Sequence, residues 1–192
     1  MKWNKKTKSN TIFYGGTLLV LLFLFVTPWG QSFRAWMMSF TLSSPDIENH
    51  QIVSEKEAFI EYDWSFQSDD DQQIFLSSID KPIFLNVWAT WCGPCRTEMS
   101  SIMALQKEYG DRVEFILVSS EKMEVLKKYK AAKNIEFPVY TMLTAPPANL
   151  STGSFPTTYI ISKDKDILMK VKGAHDWNSQ SVHDYLDKIL VK

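Results

Sequence analysis

The chain has 192 residues, 45% hydrophobic and 22% charged, which allows one ordinary globular core with length left over for extensions. A formal charge of −1 leaves no overall basic surface for phosphate contacts and excludes nucleic acid as the expected partner. Its two cysteines lie three positions apart, which excludes a scattered disulfide framework.

Lys2, Lys5, Lys6 and Lys8 open the chain and precede an uncharged, mostly apolar run over residues 11–29. As a helix, residues 12–29 extend about 27 Å, close to the ~30 Å of bilayer hydrocarbon. The basic residues precede the run and Arg34 stands alone soon after it, so the positive-inside bias places residues 1–10 in the cytoplasm and the rest outside. A cleaved signal peptide shares the basic start and apolar middle, but no site of the Ala-x-Ala kind follows Trp29. The expectation is an uncleaved transmembrane helix over 11–29, with the lipid bilayer as partner. Residues 31–40 read as a short interfacial helix or as a continuation of the anchor. Residues 43–53, with Pro45, Asp46, Glu48 and Asn49, read as a tether, giving a juxtamembrane stretch 30–52 and a folded domain 53–192.

Two short β candidates, 59–66 and 73–76, flank the turn Ser68-Asp69-Asp70-Asp71, whose acids read as a solvated loop with no metal assigned. From residue 82 onward apolar strand-like runs alternate with helical ones: strand 83–88, helix 94–109 closed by Gly110, strand 113–118, helix 121–133. That alternation implies βαβ units with parallel strand pairs. Residues 157–162 and 167–173 then flank Lys163-Asp164-Lys165-Asp166 as an antiparallel hairpin, and 179–191 forms a last amphipathic helix capped by Asn178 or Ser179. The predicted fold class is α/β: a central mixed sheet flanked by helices, with an N-terminal β-hairpin extension. A βαβ half followed by a ββα half is the thioredoxin arrangement, although fold alone licenses no function.

Cys92 and Cys95 lie where the strand 83–88 gives way to a helix with Pro94 in its first turn, the position proline tolerates best. Backbone N–H groups without intrahelical partners then point at the Cys92 sulfur, and the helix dipole favours thiolate over thiol. Cys92 is therefore the expected attacking thiol. Cys95, one turn deeper, resolves the mixed disulfide, and Gly93-Pro94 stiffens the turn between them. Half of a four-ligand zinc site is the rival, but there is no second cysteine pair, and His50, His175 and His183 lack metal-type spacing. A structural disulfide closing so small a loop yields little stabilisation. No metal or cofactor is assigned. Phe155-Pro156 stands directly before the strand 157–162, at the place that faces the cysteine loop in this fold. A cis bond there exposes the backbone of residue 155 as an edge on which a substrate peptide adds as a strand.

The segments Lys81 to Met99 around Trp91-Cys92-Gly93-Pro94-Cys95, then Phe137-Pro138-Val139, then Phe155-Pro156-Thr157-Thr158-Tyr159 resemble the membrane-tethered thioredoxin-like proteins of the TlpA and ResA type, from about Glu61 to the C-terminus. The resemblance implies an extracytoplasmic thiol-disulfide oxidoreductase on the bacterial cell membrane that reduces disulfide-containing proteins and is fed by a membrane electron donor. Cysteines of apocytochrome c before haem attachment, or envelope disulfides in general, are the substrates it suggests. It also implies Cys92 as nucleophile, Cys95 as resolving thiol and Pro156 as cis-proline, with Trp91, Gly93, Pro94 and Phe155 meeting the substrate. Thioredoxin has a buried Asp where this chain has Asn86, which cannot accept a proton. Glu121, after the next strand, matches the place of an acid that shuttles that proton in some relatives; it is otherwise a first-turn acid favouring its helix dipole. Residues 145–153, with Pro146 and Pro147, depart from the short helix common in this family. His175 and Trp177 read as packing at a helix entrance. A copper-delivery module of the same fold is the alternative function, but such modules separate their cysteines by three residues and add a distant His. The peroxidatic Pro-x-x-x-Thr-x-x-Cys pattern does not occur.

Overall fold

A computed structural model of the chain describes residues 5–47 and 63–191. Residues 1–4, the tether beyond 47 and positions 59–62 of the first β candidate lie outside the described residues. The chain divides into two compact units, Met1–Thr41 and Leu42–Lys192.

The smaller unit holds helix α1, Lys5–Val26, and helix α2, Pro28–Ser39. The single helix expected over 11–29 is instead interrupted at Thr27, with α1 ending at Val26. The residue before a proline is pushed out of the α region, and Thr27 accordingly sits at φ −85°, ψ 147° between the helices. Its hydroxyl accepts the Gly30 N–H at 3.0 Å, capping α2 with Pro28 in the first turn, where no N–H is needed. Among the described residues, no helix is long and apolar enough to cross a membrane. Helix α2 exposes Phe33, Trp36, Met37 and Met38, with the Trp36 ring 5.0 Å from that of Phe40.

The larger unit begins earlier than the predicted domain. The Ser43 carbonyl accepts the Asp176 N–H at 2.9 Å, Pro45 is buried, and Ile47 packs on the core, so the first residues of the expected tether are fastened down. Its elements are strands β1 (Ser65–Ser68), β2 (Gln73–Phe75) and β3 (Ile83–Val87), helix α3 (Gly93–Tyr109), strand β4 (Glu114–Ser119), helix α4 (Met123–Lys133), strands β5 (Val139–Met142), β6 (Thr157–Ile161) and β7 (Ile167–Lys172), and helix α5 (Gln180–Leu190). One mixed sheet runs β2-β1-β5-β4-β3-β6-β7. β4 is parallel to β3 and β5, while β6 is antiparallel to β3 and β7. The β1–β2 hairpin joins the sheet through β5, a strand absent from the predicted elements.

Strand alternation sorts the core. Ile83, Leu85 and Val87 face one layer, with Ile116, Val118, Tyr159 and the 3-10 turn residues Leu76 and Leu150. Phe84 faces the other, with Phe115, Leu117 and Ile160, where α3 packs Cys95, Met99, Ile102 and Leu105, and α5 packs Val182 and Leu186. Asn86, two residues after Phe84, shares that second face and points toward α3. The Asp run is more than a solvated loop. Asp69 accepts from Lys130 at 2.6 Å and from the Val139 N–H at 3.1 Å, fastening the hairpin to α4 and β5. Helix α4 starts at Met123 rather than at 121, and Ser179 occupies the N-cap position of α5 without a side-chain capping bond. After Pro146 and Pro147 the chain manages one 3-10 turn, Ala148–Leu150, which buries Leu150.

Candidate active site

The cysteine pair stands at the N-terminus of α3. Cys92 is the N-cap residue in extended conformation, and its sulfur accepts the Cys95 N–H at 3.2 Å. This is the donor that the sequence argument placed there; in the reduced protein it favours a thiolate on Cys92. The two cysteines are joined as a disulfide with Cα atoms 5.3 Å apart. Cys92 is 5% exposed and Cys95 1%. Phe155-Pro156 is cis, immediately before β6. The 68% exposed Trp91 and the 36% exposed Phe155 meet edge to face with ring centroids 5.8 Å apart, bringing the cysteine loop and the proline loop together at the surface. Gly93 and Pro94 are the first two residues of α3, and nothing lies within 4 Å of where a Gly93 Cβ would stand.

Glu121 reaches the same loop from the end of β4. Its carboxylate accepts the Thr90 N–H at 2.6 Å and the Thr90 hydroxyl at 2.7 Å, with the Ser119 hydroxyl at 3.3 Å. It therefore lies outside α4, and its contacts hold the turn two residues before Cys92.

A second acid escaped the sequence analysis. Glu98, one turn beyond Cys95, is 0% exposed. The Trp177 indole N–H donates to Oε2 at 2.9 Å, the His175 backbone N–H to Oε2 at 3.2 Å, and Asn86 Nδ2 to Oε1 at 2.9 Å. Burial pushes its carboxyl up from 4.5 to about 7, against the pull of those three donors. A buried carboxyl thus stands one helical turn beyond Cys95 and is hydrogen-bonded to Asn86, the residue that replaces the expected acid. The missed signal is positional: on the buried stripe of α3, Cys95-Met99-Ile102, position 98 is an inward one. Trp177 is core, as expected, with its ring 5.1 Å from Phe84, but its N–H ends on this carboxylate. Among the described residues no group of three or more His, Cys, Asp or Glu gathers to hold a metal ion.

The chain is similar to "Thioredoxin-like protein YneN" of Bacillus subtilis, 38% identical over 87 residues that cover 43% of this chain and 51% of the relative. It is similar to "Thiol-disulfide oxidoreductase ResA" of Bacillus cereus, 32% identical over 112 residues covering 57% of this chain and 64% of the relative. These alignments thus span between half and just under two thirds of those relatives. A solved thiol:disulfide interchange protein of the thioredoxin family from Chlorobium tepidum superposes with a TM-score of 0.53 at 24% identity, over 67% of this chain and 93% of that one. That likeness establishes a thioredoxin-like α/β fold. The model of the AhpC/TSA family matches residues 60–170, more than half of the chain, and the chain belongs to that family.

Proposed function

We propose that the protein is a thiol-disulfide oxidoreductase that reduces disulfides of other proteins through Cys92 and Cys95. The observation that carries the reading is the Cys92 sulfur at the helix N-cap, accepting the N–H of the cysteine to which it is bonded. In the reduced protein the Cys92 thiolate attacks one sulfur of a substrate disulfide; that S–S bond breaks and the other substrate sulfur leaves as a thiolate and takes up a proton. Cys95 then loses its proton and attacks the Cys92 sulfur. The second substrate thiol departs, and two electrons have passed from the pair to the substrate. The names carried by relatives support this chemistry.

The reading includes a location: the bacterial cell membrane, with residues 1–10 cytoplasmic and the cysteine domain outside. The basic start and the exposed apolar side chains of α1, from Phe13 to Phe25, support it. Re-reduction of the pair then falls to a membrane electron donor, and the substrates are disulfides of exported proteins, with apocytochrome c cysteines as a specific case.

The Cys95→Ser variant tests the chemistry, because it stalls Cys92 in mixed disulfides visible by mass. A folded, exported variant that traps no adduct overturns the assignment. Alkaline extraction of membranes tests the location; full-length protein released into the supernatant refutes the anchor and leaves the dithiol chemistry standing.

A further inference from the structure

The loop that follows β7 is fastened at both ends. Gly173, at φ 90°, turns the chain out of β7 and donates its N–H to the Pro156 carbonyl at 2.9 Å; glycine takes that backbone conformation without a steric cost. Three residues on, the Asp176 N–H donates to the Ser43 carbonyl at 2.9 Å. Ser101 of α3 holds the same loop, its hydroxyl accepting the Trp177 N–H at 3.1 Å. Ser43 belongs to the stretch by which the chain enters the larger unit. Pro45 is buried there and Ile47 packs on the core layer that contains Trp177, whereas Ser44 and Asp46 are exposed. Alternate residues thus grip the domain, the pattern of an extended chain laid on a surface.

We propose that residues 43–47 are a strap that positions the substrate-docking edge: by fixing Asp176 they hold the loop after β7, and Gly173 on that loop holds the carbonyl of cis-Pro156. The edge at Phe155 has its use under the oxidoreductase reading, on which this role rests. A peptide that adds as a strand binds best to backbone groups already in place, because ordering them on binding costs affinity. Pro156 has no N–H, and its carbonyl is committed to Gly173, so the position of the loop sets the position of the edge. The path is short. Three residues separate Gly173 from Asp176, too few for one to shift far while the other is pinned. The chain arriving from the N-terminal helices thus ends as part of the substrate site and not as slack linker.

Amide hydrogen exchange of the oxidised full chain, read residue by residue by NMR, tests the strap in the variant Pro45→Ala/Ile47→Ala. The Asp176 and Gly173 amides should both exchange about tenfold faster, while those of Leu117 and Ile160 in the sheet keep the parent's rates. KM for insulin disulfides should rise about threefold or more with kcat unchanged. Turnover of hydroxyethyl disulfide, too short to add as a strand, should stay at the parent's value. Ile47→Val with Pro45 retained should return every reading to that of the parent. Faster exchange at Asp176 with Gly173 unchanged overturns the proposal, as does an unchanged KM for insulin, an equal loss with both disulfides, or a uniform acceleration across the sheet. If the double variant fails to fold, Ile47→Ala alone is judged by the same readings. The exchange rates require no turnover. A parent protein that reduces neither disulfide, with the two amides still coupled, would refute the oxidoreductase reading and leave the strap's hold on Pro156 standing.

Discussion

Replacing Glu98 by Gln should change how stability depends on pH. The Glu98 carboxyl is raised from 4.5 to about 7 in the folded chain, chiefly by burial. The native state therefore binds this proton more tightly than the unfolded chain does. The resulting stabilisation is fully present below about 4.5 and is lost as pH rises through about 7. Those two values differ by about 2.5 units, which at about 1.36 kcal/mol per unit comes to about 3 kcal/mol. Gln keeps the shape and cannot titrate. The stability of Glu98→Gln relative to the parent should accordingly climb by about 3 kcal/mol between pH 4.5 and pH 8. Urea unfolding of both oxidised proteins at half-unit pH steps, extrapolated linearly to water, measures the difference directly. Two stability curves that stay parallel across this range would refute the assignment of a buried titrating carboxyl.

Phe84→Ala empties a fully buried site between the stacked Phe115 ring at 5.0 Å and the Trp177 ring at 5.1 Å, and should cost about 3–5 kcal/mol in the same assay. Glu121→Gln turns an amide toward the Thr90 N–H or hydroxyl, donor facing donor, and should cost about 1–2 kcal/mol; an unchanged melting curve would show that the Thr90 contacts contribute nothing. Trp91→Ala removes an exposed side chain, so stability should stay within about 0.5 kcal/mol while KM for insulin disulfides rises with kcat little changed. A melting point shifted as far as that of Phe84→Ala would instead make Trp91 part of the core.

The segment from β3 to α4 and the closing β6–β7–α5 were legible to within about two residues, because unbroken apolar runs bounded by Gly110, Pro156 and the Lys163 to Asp166 turn carry strong periodic signals. β5 was not. Val139–Met142 is four residues long behind a proline, and its pairing with β1 and β4 is long-range, so nothing local announces it. The apolar character of Trp29 carried the predicted helix through Pro28, whereas backbone sterics at Thr27 end α1 at Val26. At the site, the cysteines and Pro156 were legible from the motif. Glu98 was not, because a charged helical residue reads as solvent-facing until the inward stripe through Cys95, Met99 and Ile102 is followed past it.

The unequal exposure of the two cysteines, 5% against 1%, bears on how the protein withstands oxidants. Peroxides and alkylating reagents reacting with the reduced pair meet the outer sulfur first, and a sulfenic acid formed there lies next to an unspent thiol. Condensation of the two gives back the internal disulfide and releases water. The inner sulfur thus acts as a built-in repair reagent, and irreversible damage requires a second oxidation to outrun a reaction between neighbours.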